Sequence, residues 1–167
     1  QNDPKFCPRG MMEHYNVKIV CTTDDPADSL EWHKVVKDDP TAKTRMLPTW
    51  RPDAGMNIDA ATWKAYIAKL AIVAEMPITC FAELVAALQK RHDFFETMGC
   101  KLSDHGIEEF YDEPYTEAEI DAIMKKALAG EAITKEEERK YKHAYLFEQG
   151  KMDYASGWAQ QYHYGAI

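Results

Sequence analysis

Four apolar runs in this chain each end in groups able to do acid–base or ionic chemistry. These are Thr22-Thr23-Asp24-Asp25, then Arg51 and Asp53, then Ser103-Asp104-His105, and finally His163. Arginine offers a planar fork of donors that grips a carboxylate through two parallel hydrogen bonds. Histidine and carboxylates take up and return protons when their surroundings tune them. Facing one cavity, these side chains would suit a polar, anionic small substrate, with Arg51 as clamp and His163 or Asp104 moving a proton. Plainer uses stand beside these. Asp25, followed by Pro26, fits a helix N-cap, while Asp24 is left open. Arg51 could instead pair with Asp53. A histidine in an aromatic strand, as His163 is, is commonly a satisfied core residue. Asp104 and His105, side by side after a short strand, favour a site over a cap. His92 falls on the apolar side of its helix and reads as structural; His14 and His33 belong to no constellation.

The elements that must position these groups alternate. Strands are predicted over 17–22, 44–50, 100–106 and 158–167. A helix is predicted directly after the first strand, capped by Asp25, with Pro26 at its first position and Asp28 favouring its positive end. Leu30, His33 and Val36 line one of its faces, and Pro40 ends it. Pro52 holds Arg51 extended at a strand end. A second helix opens at Asp59, with Trp63, Ile67, Leu70 and Ala71 at helical spacing. A third runs from Thr79 with Phe81, Leu84, Val85, Leu88 and Phe95 as its stripe and Gly99 beyond its end. Thr116 with Glu119, and Thr134 with Glu137, are capping boxes. The first opens a helix closed by Gly130, the second a long helix to about Ser156 closed by Gly157. Glu136 to Glu138 are expected in solvent on the first turn, favoured by the helix dipole. Strands alternating with helices imply parallel pairing, because parallel strands need a crossover. Parallel α/β folds place their sites at the C-terminal ends of the strands.

A chain of 167 residues, 46% of them hydrophobic, is enough for one core. Its net charge of −8 argues against a nucleic-acid partner. It contains no apolar run long enough to span a membrane, and its first residues lack the apolar stretch of a signal peptide. Cys7, Cys21, Cys80 and Cys100 form no CxxC pair and no close Cys/His spacing, which argues against a zinc knuckle. Their even number allows two disulfides, but the reading favoured is reduced thiols in a cytoplasmic protein.

Four stretches carry a family resemblance: NVKIVCTTDDPADSLEWH, LPTWRPDAGMNI, KRHDFFETMGCKLSDHG and MDYASGWAQQYHYGAI. In their order and motifs they resemble uronate isomerase, also called glucuronate isomerase, over almost the whole chain. The resemblance implies a distorted (β/α)8 barrel of the amidohydrolase superfamily. It implies interconversion of D-glucuronate with D-fructuronate and of D-galacturonate with D-tagaturonate through an enediol. It also implies a divalent metal, usually zinc, held by a His-x-His pair after the first strand and an aspartate after the last. Carried over, it makes Arg51 a substrate-binding residue and Asp104 and His163 catalytic. The chain departs from the pattern in having no His-x-His and no last-strand aspartate. Four strands are also too few for a barrel of eight. The expected fold is therefore α/β, a partial TIM-type (β/α)8 barrel of about four consecutive parallel β-α units with extra helices. Residues 1–167 would form one segment from the middle of the barrel domain, strands two to five. Such a segment is expected to hold no metal and to be inactive alone. It should act on hexuronate only within the whole enzyme, and bury its open edges against another copy or the rest of the barrel. Two other readings remain: a small α/β domain that binds a sugar acid without catalysis, and a scaffold whose sheet edge recruits a partner strand.

Overall fold

Parallel pairing is realised, but in two short pieces joined at one residue. The computed structural model describes residues 6–165. In chain order the elements are α1 (Pro8–His14), β1 (Ile19–Cys21), α2 (Glu31–Asp38), β2 (Arg45–Leu47), α3 (Asp53–Met56), α4 (Trp63–Ala74), α5 (Phe81–Thr97), β3 (Leu102–Ile107), α6 (Glu117–Ala129), α7 (Lys135–Ser156) and β4 (Ala159–Tyr164). Strand β1 pairs with β2, Ile19 opposite Arg45, and β3 pairs with β4, Leu102 opposite Ala159, both parallel. The last two residues of the predicted fourth strand lie outside the described residues.

Trp50 connects the two pairs through single bridges to Asp24 and to Ser103. Its N–H donates to the Leu102 carbonyl at 3.2 Å, and its carbonyl accepts from the Asp104 N–H at 2.8 Å. Donors toward one neighbour recur every second residue along a strand. The next donors toward β3 would therefore come from residues 48 and 52, and both are proline, which has no N–H. Pro48 and Pro52 thus reduce the β2–β3 ladder to one bridge. This is why the single strand predicted over 44–50 becomes a three-residue strand followed by a pivot.

Trp50 is fully buried, edge-on to Phe95 and His92 at 5.0 and 5.4 Å, and its indole N–H donates to Gln149 Oε1 at 2.8 Å. The core around it includes Trp63, Leu70, Leu84, Leu88, Tyr141 and Tyr145. Helix α7 reaches from this core to the chain just past Arg51. Tyr145 donates to the Pro52 carbonyl and Tyr141 to the Gly55 carbonyl, each at 2.9 Å. A side chain at residue 55 would collide with the Tyr145 hydroxyl, so glycine is what lets α7 approach.

Both predicted capping boxes form with both of their hydrogen bonds, and Gly130 and Gly157 close their helices at φ 84° and 65°. Replacing Thr134 with Ala should cost about 1 kcal/mol, since the Glu137 N–H loses its acceptor. A lower urea midpoint with unchanged slope is the expected result.

Local cap signals failed elsewhere. Asp25 does not start a helix. Its carboxylate accepts the Ala27 N–H at 2.8 Å, while Asp28 accepts the Asp25 N–H at 3.2 Å, which makes a tight turn. Buried Arg91 of α5 takes the carbonyls of Pro26 and Asp28, both at 2.7 Å, and holds that turn. Helix α2 begins only at Glu31, after Leu30 at φ 54°. Asp59 likewise caps nothing; it pairs with Lys142 at 3.3 Å, and α4 starts at Trp63. Glu138 is not in solvent but buried between Lys142 (2.7 Å) and Lys135 (3.0 Å). The short helices α1 and α3 were not predicted; neither carries enough residues to show a period.

Candidate functional site

The chain beyond β2, the middle of β3 and the C-terminal end of β4 bring Arg51, Asp104 and His163 together. Asp104 and His105 lie inside β3 rather than after it, because pairing with β4 continues through both. Successive side chains of a strand point to opposite faces. In β3 this puts Asp104 and Gly106 on one face and Ser103 and His105 on the other. The register sets Gly106 opposite His163, so His163 shares the Asp104 face. Asp104, with its side chain 8% exposed, bridges the other two: Oδ2 lies 3.3 Å from Arg51 Nη1, and Oδ1 lies 2.6 Å from His163 Nδ1. The latter contact is close but not aligned as a hydrogen bond.

Arg51 is held at both ends of its fork. Its N–H donates to the Asp24 carbonyl at 3.0 Å, which fixes the backbone. Its Nε donates to Asp53 Oδ2 at 2.9 Å, and that same oxygen accepts the Gly106 N–H at 3.0 Å. The hydrogen bond to Asp53 comes first among the causes that raise the Arg51 pKa, so its charge is permanent. The plainer pairing with Asp53 and the contact with Asp104 thus coexist. A Cβ on residue 106 would lie 2.9 Å from Arg51 Nη2, so glycine there makes room for the guanidinium. Arg51 and His163 remain 37% and 44% exposed, so the face is open, and a guanidinium and an imidazole flank a buried carboxylate.

The first strand end builds a different cluster. The Thr22 hydroxyl lies 2.6 Å from Asp24 Oδ2 and 2.8 Å from His33 Nε2, and Asp24 also accepts the Thr49 N–H at 3.1 Å. His33, read from sequence as belonging to no constellation, is buried in this clasp between β1, α2 and the chain after β2. His92 is fully buried and stacked on Trp158 at 3.7 Å between ring centres.

Sequence reasoning passed over Asp153. It is 1% exposed and takes hydrogen bonds from Ser103, His92 and Gln160. A signal existed: Tyr141, Tyr145, Gln149 and Asp153 recur every four residues, and a carboxylate on that stripe has to be satisfied inside. Among the described residues, no group of three or more His, Cys, Asp or Glu could hold a metal ion. Cavities of about 350 Å³ beside His33, Arg45 and Met98, and about 550 Å³ beside Phe110, His143 and Phe147, are lined by neither Arg51, Asp104 nor His163. No described helix is long and apolar enough to cross a membrane. Cys21, Cys80 and Cys100 carry free thiols.

Short parallel strands with helical crossovers, and a charged face at the strand ends, define an α/β protein of the kind that binds small polar molecules there. Comparison with known proteins is specific. Residues 1–167 match the family model described as glucuronate isomerase, and the chain belongs to that family. It is 54% identical over 165 residues to the uronate isomerase of Phocaeicola vulgatus, and 53% identical to that of Bacteroides thetaiotaomicron. Each alignment covers 98% of this chain and 35% of the relative, so the chain spans about a third of their length. Among solved structures it superposes on uronate isomerase from Thermotoga maritima with a TM-score of 0.91 at 34% identity, covering 96% of this chain and 36% of that one. Glucuronate isomerase from Caulobacter crescentus shares the fold, with a TM-score of 0.87 at 22% identity over 97% of this chain and 33% of that one.

Proposed function

We propose that the chain is the central segment of a uronate isomerase barrel and supplies part of its hexuronate site. The observation that carries this reading is the Asp104 carboxylate of β3 held between Arg51, beyond β2, and His163 of the neighbouring β4. Arg51 would bind the sugar acid's carboxylate or hydroxyls through its donor fork. Asp104 and His163 would handle protons. One removes the C2 proton of the aldo-uronate while O1 gains a proton, which gives the enediol. Return of a proton to C1 and loss of the O2 proton then yields the keto-uronate. A C2 proton beside a carbonyl leaves only when a base is already placed against it. D-glucuronate and D-galacturonate are the substrates proposed, by resemblance.

The divalent metal of the family, zinc by resemblance, finds no fitting donor set among the described residues. Its ligands would come from elsewhere in the enzyme. The remaining strands would also cover the edges. Every residue of β4 is exposed, as are Ile19 and Cys21 of β1, and open parallel edges are unusual in a finished fold.

The test uses the intact isomerase carrying this segment. Asp104→Asn should lower kcat by roughly 10²-fold or more, as expected on losing a proton-handling carboxylate, and slow deuterium uptake at C2 in heavy water in parallel. The 167-residue chain alone should form no keto-uronate. Unchanged turnover by Asp104→Asn would remove Asp104 from the site, and turnover by the chain alone would sink the segment reading.

A further inference from the structure

A buried polar relay runs behind the charged face. Asp153 accepts from His92 Nε2 at Oδ1 (3.1 Å), and from the Ser103 hydroxyl (2.6 Å) and Gln160 Nε2 (2.9 Å) at Oδ2. Burial pushes its carboxyl up, but the bonds from His92, Ser103 and Gln160 outweigh that and hold it below the usual range. It is therefore ionised at neutral pH and can only accept. Ser103 has one hydroxyl proton, and that proton goes to Asp153. The Ser103 oxygen must then accept from His105 Nε2, 3.1 Å away. His105 is fully buried and stacked on Tyr162 at 5.1 Å. Burial lowers its pKa against the opposing pull of Asp53, Asp153 and Asp104, so the ring is neutral. A neutral ring protonated on Nε2 has a bare lone pair on Nδ1. That Nδ1 lies 3.9 Å from Asp53 Oδ1, and neither atom has a hydrogen-bond partner among the described residues.

We propose that Asp153, Ser103 and His105 form a positioning relay for Arg51, a role that rests on the isomerase reading. Pinned with its proton on Nε2, His105 presents only an acceptor to Asp53. The Asp53 carboxylate is thereby left to Arg51 Nε and the Gly106 N–H. The other tautomer would put an N–H opposite Asp53 Oδ1 and draw the carboxylate away from Arg51. A carboxylate on α7 so governs, through the far face of β3, the direction of a guanidinium on the near face. His105 itself touches none of Arg51, Asp104 or His163 through a hydrogen bond and is a positioning residue, not a catalytic one.

Histidine-selective ¹⁵N NMR of the intact isomerase at neutral pH reads the tautomer without any turnover. His105 is expected to carry its proton on Nε2 only, and Ser103→Ala to move a measurable fraction to Nδ1. The kinetic arm contrasts two amides. Gln at 105 can reach Ser103 and offers Asp53 no donor, whereas Asn sets its amide near the Nδ1 position, within reach of Asp53. His105→Asn should raise KM for glucuronate about tenfold with a smaller change in kcat, because a misdirected Arg51 weakens binding. His105→Gln should restore most of that loss. Equal loss in both variants, or a wild-type His105 protonated on Nδ1, overturns the relay. If His105→Asn does not fold, the tautomer shift in Ser103→Ala decides alone. An unsubstituted enzyme inactive on every hexuronate would overturn the isomerase reading instead, while the NMR result would still decide the relay.

Discussion

In the intact isomerase, Arg51→Lys is expected to lower kcat/KM for glucuronate by ~10²-fold while the fold stays whole. The charge is unchanged, so the loss isolates geometry. Arg51 spends Nε on Asp53 and Nη1 on Asp104, at 2.9 and 3.3 Å, and keeps the rest of its fork on the open face. Lysine has one nitrogen on a flexible stem. It can pair with Asp53 or with Asp104, but it cannot hold both carboxylates and still offer two coplanar donors to a substrate. On the proposed roles, small displacements of a bound carboxylate would move the reacting carbons away from Asp104 and His163, and such displacements are costly in rate. Steady-state kinetics of the purified variant, with a circular-dichroism check of folding, gives the answer. Wild-type kinetics in Arg51→Lys would remove the planar fork from the account of binding.

Trp50→Ala should have the largest effect on stability, a loss of ~3–5 kcal/mol from truncating a buried aromatic. Its ring fills the space between His92 and Phe95, and its backbone is the only bridge between the β1–β2 and β3–β4 pairs among the described residues. Removing the indole also strands the Gln149 side-chain oxygen in the core, which adds to the cost. Trp50→Phe keeps most of the volume but not the N–H, and should cost clearly less. Urea unfolding of the two variants separates packing from hydrogen bonding. A loss under ~1 kcal/mol in Trp50→Ala, the size of an ordinary surface change, would show that the pivot lies elsewhere.

What could be read without coordinates was local. The capping boxes at Thr116 and Thr134 formed because hydroxyl, carboxylate and backbone donors all lie within four residues of one another. Gly130 and Gly157 closed their helices because positive φ suits a residue without a side chain. The polar groups stood out because each followed an apolar run, and a parallel fold sends such runs toward one end. The single-bridge pivot was missed, since a continuous strand was expected over 44–50, although its local cause, the missing N–H of Pro48 and Pro52, is a property of the residues themselves. Wherever a group's partner came from far along the chain, the same local rules misled. Asp25 was offered Pro26 for a helix, but Arg91, 66 residues away, claimed the carbonyls of that turn instead. Glu138 sat in a first helical turn fit for solvent, yet it is buried with Lys142, whose ammonium also reaches Asp59 from far earlier in the chain. His33 found Thr22 only once α2 had folded against the end of β1. Asp153 met Ser103 and His92 only once α7, β3 and α5 had closed around it. Sequence spacing determines which residues share a face of one element. Which faces meet, and so which buried charge finds its donors, is decided when the elements pack and water is gone.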